Sequence, residues 1–133
     1  MLLTTPSTID RLPHLANNER TALGAFVARL CEQYGDRLVR VALFGSKARG
    51  DDDAESDLDV LVVLNDGDWR LRDAVALVAF EPMLKHGVVL SPLVVDVADY
   101  AWWQEHRAPI YRQISVEGVD LWTKPLSPSS VSG

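Results

Sequence analysis

The stretch FGSKARGDDDAESDLDVLVVL, Phe44–Leu64, carries two kinds of chemically capable residue at short range. Asp57 and Asp59 open an apolar run and stand one pleat apart. On a strand they share one face with Leu61, while Leu58, Val60 and Val62 take the other. Two carboxylates so placed repel and raise one another's pKa. A divalent cation removes that penalty, and Mg²⁺ typically takes one or two carboxylates together with water and substrate phosphates. By itself, the same pair can equally be the solvated start of a strand. The preceding residues add a second feature. Gly45–Ser46 ends an earlier apolar run and opens onto a helical turn, KAR. Glycine lets a phosphate approach the backbone, free amides at a helix start attract anions, and Ser46 adds a hydroxyl donor. A phosphate cradle and a carboxylate pair one loop apart suit a metal–nucleoside triphosphate complex.

These residues need strands and turns to position them. LVRVALF (38–44) reads as a strand ended by Gly45–Ser46, and DLDVLVVL (57–64) as a second. Upstream, Leu23, Phe26, Val27, Leu30, Cys31 and Tyr34 recur at helical spacing, with Asn17 or Asn18 as the cap and Gly35 as the stop. DGDWRLRDAVALVAFEPMLKHG predicts a second long helix, capped by Asp66 or Asp68, closed by Gly87, and kinked or broken at Pro82. VVLSPLVVDV (88–97) predicts a third strand, at an edge or bulged because of Pro92. DYAWWQEHRAPIYRQISVEG reads as a helix broken near Pro109 and ending at Gly118, and VDLW as a short last strand. The order predicts an α+β (α/β) domain: a small mixed sheet with helices packed on one side. The expected boundaries are an N-terminal segment 1–16, a domain 17–123 and a disordered tail 124–133.

The 133 residues suffice for one domain with a real core. A net charge of −6 argues against gripping a nucleic-acid backbone directly through bulk positive charge. It leaves room for a nucleotide held at a local site. The single cysteine, Cys31, fits a reducing cytoplasm and reads as core. The first residues do not read as a signal peptide, and no apolar run is long enough to span a membrane.

The motif GSKARGDDDAESDLDVLVV resembles the signature of the DNA polymerase beta superfamily: a Gly-Ser turn, about ten residues, then Asp-x-Asp. The fuller pattern, Gly45, Ser46, Ala48, Arg49, Gly50, Ser56, Asp57 and Asp59, resembles the minimal nucleotidyltransferases often paired with HEPN-domain proteins. The match is strongest over Val41–Leu64 and weaker through KHGVVLSPLVV to IYRQISVEGVDLW. The resemblance implies a polymerase-beta-like fold. It implies that Gly45 and Ser46 bind the β- and γ-phosphates of ATP, and that Asp57 and Asp59 hold two Mg²⁺ ions. Two metals about 3.5–4 Å apart can stabilise both the attacking and the leaving oxygen of an in-line displacement. The superfamily usually supplies a third aspartate from a later strand. Asp96 is the only candidate on the third strand. The alternative puts Ser91 at that position and makes Asp96 the cap of the next helix.

The acidic loop DDDAESD does not fit a calcium-binding EF-hand. Counting from Asp51, Ser56 and Val62 stand where glycine and glutamate are required. Arg49 can reach a phosphate or pair with Asp57 or the Asp51–Asp53 run, whereas Lys47 is expected in solvent. Of the adjacent Trp102 and Trp103, one is expected packed and the other partly exposed, as a possible partner contact. Trp69 can cover apolar surface or stack on a base. What the resemblance implies for function is transfer of AMP to a hydroxyl of a HEPN partner by the antitoxin of a toxin pair. A contact-only binding module that has lost catalysis is the alternative. An aminoglycoside nucleotidyltransferase fits less well, because those enzymes usually carry an added helical domain.

Overall fold

The computed structural model describes Ile9, Leu12 and residues 15–50, 57–67 and 69–125. Four strands form one sheet: β1 (Leu38–Phe44), β2 (Leu58–Leu64), β3 (Leu90–Asp96) and β4 (Val119–Thr123), in the spatial order β3-β2-β1-β4. β1 pairs antiparallel with β2 and β4, and β2 pairs parallel with β3. A parallel pair needs a crossover. Helix α3 (Trp69–His86) supplies it, after α1 (Asn17–Tyr34) and the single turn α2 (Ser46–Arg49). Two short helices, α4 (Val97–Glu105) and α5 (Pro109–Glu117), lead from β3 to β4. β3 is an edge strand, the position that Pro92 requires.

The period-two pattern of the strands sorts the core onto two faces. Val41, Leu43, Leu58, Val60, Val62 and Leu64 meet Leu23, Phe26 and Leu30 of α1 and Val75, Val78 and Ala79 of α3. Ile9, Leu12 and Leu15 join this cluster from the N-terminal segment. Ala42, Phe44, Leu61, Val63 and Val95 form the opposite face, against Tyr100, Trp103, Ile110 and Ile114. The mixed sheet is as expected, and the two long helices do lie on one side. The expectation of helices on that side alone needs correction, because α4 and α5 cover part of the other.

Local details follow and amend the sequence pattern. Neither Asn17 nor Asn18 caps α1. Ala16 takes the cap position, and the Glu19 carboxylate accepts its N–H at 2.8 Å. Asn17 instead accepts from Arg20, and Asn18 donates to the His86 carbonyl. α3 runs on through the buried Pro82, where the sequence pattern expects a kink or break, and Gly87 closes it by donating to the Met83 carbonyl at 2.9 Å. Asp66 pairs with Arg37, while Asp68 lies outside the described residues. Cys31 is half-buried against the first cluster, and burial pushes its thiol pKa up. Trp103 packs on the second face, whereas Trp102 is 55% exposed and stacks on His106 with ring centroids 4.0 Å apart. At the C-terminal boundary Lys124 donates its backbone N–H to Val39 and its ammonium to the Asp36 carbonyl. Residues 126–133 of the expected tail are not among those described.

Candidate nucleotide site

Register brings the chemically capable residues together. Phe44, the last residue of β1, lies opposite Asp59 of β2, and Asp59 lies beside Ser91 of β3. Gly45 follows Phe44 with φ +81°, a left-handed conformation that glycine adopts without penalty. A Cβ built there would overlap Asp59 Oδ2 and lie 3.2 Å from Asp59 Cγ. The glycine turn therefore rests directly against the Asp59 carboxylate. Ser46 begins α2, whose turn is closed by the Ala48 and Arg49 N–H groups donating to the Gly45 carbonyl at 3.0 and 3.1 Å. Asp57 is exposed just ahead of β2. Gly45→Ala is expected to lower stability by about 1–2 kcal/mol from the left-handed backbone alone, and further from the overlap with Asp59. A thermal melt beside that of the unaltered protein measures it; an unchanged midpoint would mean that the turn and Asp59 are not in contact.

The site is electrostatically unbalanced. Burial first, then the charges of Asp57 and Glu117, raises the Asp59 pKa above its ordinary 3.8, with Arg49 acting in opposition. Glu117, the last residue of α5, accepts the Gly45 N–H at 2.5 Å and Arg49 Nη1 at 3.0 and 3.1 Å, with Gln113 Nε2 at 3.1 Å. Burial pushes Glu117 up, but the bonds from Arg49, Gln113 and the Gly45 amide outweigh it, so its pKa lies below the usual 4.5. Sequence reasoning missed this residue, which sits 72 positions from Gly45. The one signal available was an acid in the last turn of a helix, where the macrodipole disfavours it.

Other candidates fall elsewhere. Asp96 pairs in register with Leu64, at the opposite end of β2 from Asp59. Its side chain accepts the Asp99 N–H at 2.8 Å as the cap of α4. The structure thus gives Asp96 the capping alternative, does not bring it to Asp57 and Asp59, and sets Ser91 beside Asp59. Arg49 is paired with Glu117; the Asp51–Asp53 run, expected with Asp57 as its alternative partner, lies outside the described residues. Lys47, expected in solvent, is only 3% exposed and contacts Glu19 at 2.6 Å. The correction has a plain cause: α2 turns Lys47 inward, and the buried Glu19 carboxylate compensates its charge. Trp69 follows the far end of β2, is 65% exposed, and has the Arg70 guanidinium 5.2 Å from its ring centre, so it does not stack over the Asp59 end.

Among the described residues no group of three His, Cys, Asp or Glu is disposed to hold a metal ion. Two carboxylates, one of them with its pKa raised by burial and then by its neighbours' charge, are nonetheless the donors that Mg²⁺ accepts when phosphate and water complete its shell. The residues present fit a cation delivered with a nucleotide. Also among the described residues, no helix is long and apolar enough to cross a membrane.

A mixed sheet that sets a glycine–serine turn against an Asp-x-Asp strand defines a nucleotidyltransferase. The chain belongs to the nucleotidyltransferase domain family, whose model matches residues 23–120. It is 42% identical over 77 residues to "Putative protein adenylyltransferase MJ0604" of Methanocaldococcus jannaschii, a match covering 58% of this chain and 73% of the relative. A second protein of that organism with the same kind of name is 40% identical over 60 residues, covering 44% of this chain and 61% of its own length. A solved structure described as a toxin–antitoxin with AMP-PNP superposes with a TM-score of 0.50 at 21% identity, over 82% of this chain and 75% of its own. A "putative nucleotidyltransferase" from Sulfolobus solfataricus gives 0.51 at 17% identity, over 93% and 91%. At these identities the structural likeness concerns the fold alone.

Proposed function

We propose that the protein is a Mg²⁺-dependent nucleotidyltransferase that moves AMP from ATP to a hydroxyl of a partner protein. Contact between the Gly45 turn and Asp59 is the observation that carries this reading, because it directs a phosphate-compatible backbone and a metal-compatible carboxylate into one space. Gly45 and Ser46 hold the β- and γ-phosphates, Arg49 adds a cation beside them, and Asp57 and Asp59 hold two Mg²⁺ ions. The metals supply charge neutralisation for in-line displacement. The acceptor oxygen forms a bond to the α-phosphorus, the bond to the bridging oxygen breaks, pyrophosphate leaves, and the hydroxyl proton passes to solvent. Such transfer depends on positioning and charge more than on covalent help from the protein.

The names of the Methanocaldococcus jannaschii relatives support a protein acceptor. A HEPN-domain toxin is the partner we favour, with this chain as its cytoplasmic antitoxin. A second reading draws on Ser91: with serine beside Asp59 and Asp96 remote, the fold can serve as a binding module that neutralises the partner by contact without transfer. Aminoglycoside modification is the weakest of the three. Labelled ATP, Mg²⁺ and a HEPN partner decide between the first two. Mg²⁺-dependent label on the partner supports transfer. A stable complex with no label supports the binding module. Neither complex nor label overturns both.

A further inference from the structure

We propose that Glu117 is a positioning residue of the nucleotide site, fixing the Gly45–Ser46 turn and holding Arg49 in place before the triphosphate arrives. The proposal rests on the nucleotidyltransferase reading above and deepens it.

Glu117 touches both donors that flank Ser46. One oxygen accepts the Gly45 N–H at 2.5 Å, and Arg49 Nη1 lies 3.0 and 3.1 Å from the two oxygens. The carboxylate is shielded, at 11% exposure, while Arg49 is far more open. Its location is tightly specified. Gly118 donates its N–H to the Ile114 carbonyl at 2.7 Å, and a Cβ at Gly118 would come within 2.5 Å of that oxygen. Ile114 in turn is buried in the second core cluster. The end of α5 is thereby anchored to the sheet, and Glu117 reaches from it to the turn.

Charge is the informative part. An acid at a helix C-terminus opposes the macrodipole, and here it also adds to the repulsion felt by Asp59. A neutral acceptor would satisfy the Gly45 amide without either cost. A neutral acceptor would hold the guanidinium by a hydrogen bond alone, whereas the carboxylate adds charge assistance and so restrains it more strongly. An arginine side chain is long and rich in rotamer entropy. Restraining it in advance lowers the ordering cost when an anionic ligand arrives. Glu117 thus acts through Arg49 and Gly45.

The experiment measures the Kd of Mg²⁺–AMP-PNP, and the KM and kcat of labelled transfer, for the full chain and for Glu117→Gln and Glu117→Ala. Glutamine keeps an oxygen for Gly45 and removes the charge. Glu117→Gln is expected to weaken nucleotide binding roughly 10-fold, the loss of one charge-assisted contact, with kcat at saturation little changed. Glu117→Ala is expected to weaken it further and to lower the melting point. In an Arg49→Met background the Glu117→Gln effect should shrink to within about twofold, because the two act as a unit. Unchanged nucleotide affinity in a folded Glu117→Gln protein overturns the proposal and leaves a stability role. Tighter binding also overturns it and makes the carboxylate a competitor of phosphate. Absence of Mg²⁺-dependent binding in the unaltered protein defeats the underlying reading, and the proposal with it.

Discussion

Asp59→Asn is expected to reduce nucleotidyl transfer by roughly three orders of magnitude or more while leaving the protein at least as stable as before. Metal neutralisation of a reacting phosphate is worth several kcal/mol, and about 4 kcal/mol corresponds to a thousandfold in rate. The stability sign comes from the site's own charge. The folded-state pKa of Asp59 is raised above 3.8 by burial and by Asp57 and Glu117. Ionised Asp59 therefore penalises the fold, and stability falls as pH rises from 3.8 through the folded value. Asparagine removes that penalty and that slope. Glu117 works in the opposite direction. With its pKa held below 4.5, it contributes stability above 4.5 that is lost as pH falls through its depressed folded value. Melting points across mildly acidic pH, for the unaltered protein and for Asp59→Asn, separate the two. An Asp59→Asn protein that transfers label at the normal rate would remove Asp59 from the site. One that melts well below the unaltered protein would show that the carboxylate stabilises the fold instead.

The second large effect falls on stability. Lys47→Met leaves the Glu19 carboxylate buried without the ammonium that lies 2.6 Å from it. Breaking such a pair by removing one partner costs about 3–5 kcal/mol. In a domain of this size that shifts the melting midpoint by on the order of 10–20 °C. Glu19 has a second duty: its other oxygen caps α1 at Ala16. The double variant Glu19→Gln with Lys47→Met keeps a capping oxygen and removes both charges, so it is expected to recover a large part of the loss. If Lys47→Met alone melts within a degree or two of the unaltered protein, the pair is not compensating a buried charge.

Much of the fold is legible because its rules are local. The limits of β1, the faces of β2, the edge position of β3 and the helix stop at Gly118 all come from period, glycine and proline. The Gly45–Asp59 apposition is legible for the same reason, since the strand–turn–loop–strand order brings Phe44 opposite Asp59. What escapes is long-range. Lys47 sits in a motif that reads as solvent-facing, and only the docking of α1 brings Glu19 to it. Glu117 meets Gly45 across 72 residues, and no short-range spacing encodes that meeting. Covering of the second face by α4 and α5 depends likewise on packing, because each is a short helix whose apolar residues, such as Tyr100, Trp103 and Ile110, do not form a long stripe. Asp96 lies between these cases: capping before VADYAWW is readable locally, but only register shows that it stands far from Asp59.

Central placement of β1 has a consequence for synthesis on the ribosome. Its two neighbours in the sheet are β2, which emerges soon after it, and β4, which emerges only after β3 and the two short helices that follow it. Glu117 precedes β4 directly. A nascent chain can therefore assemble the aspartate strand early, while the clasp on Gly45 waits for β4 to zip against β1. Until then one flank of β1 stays open to foreign strands, and the turn at Gly45 stays without its clasp.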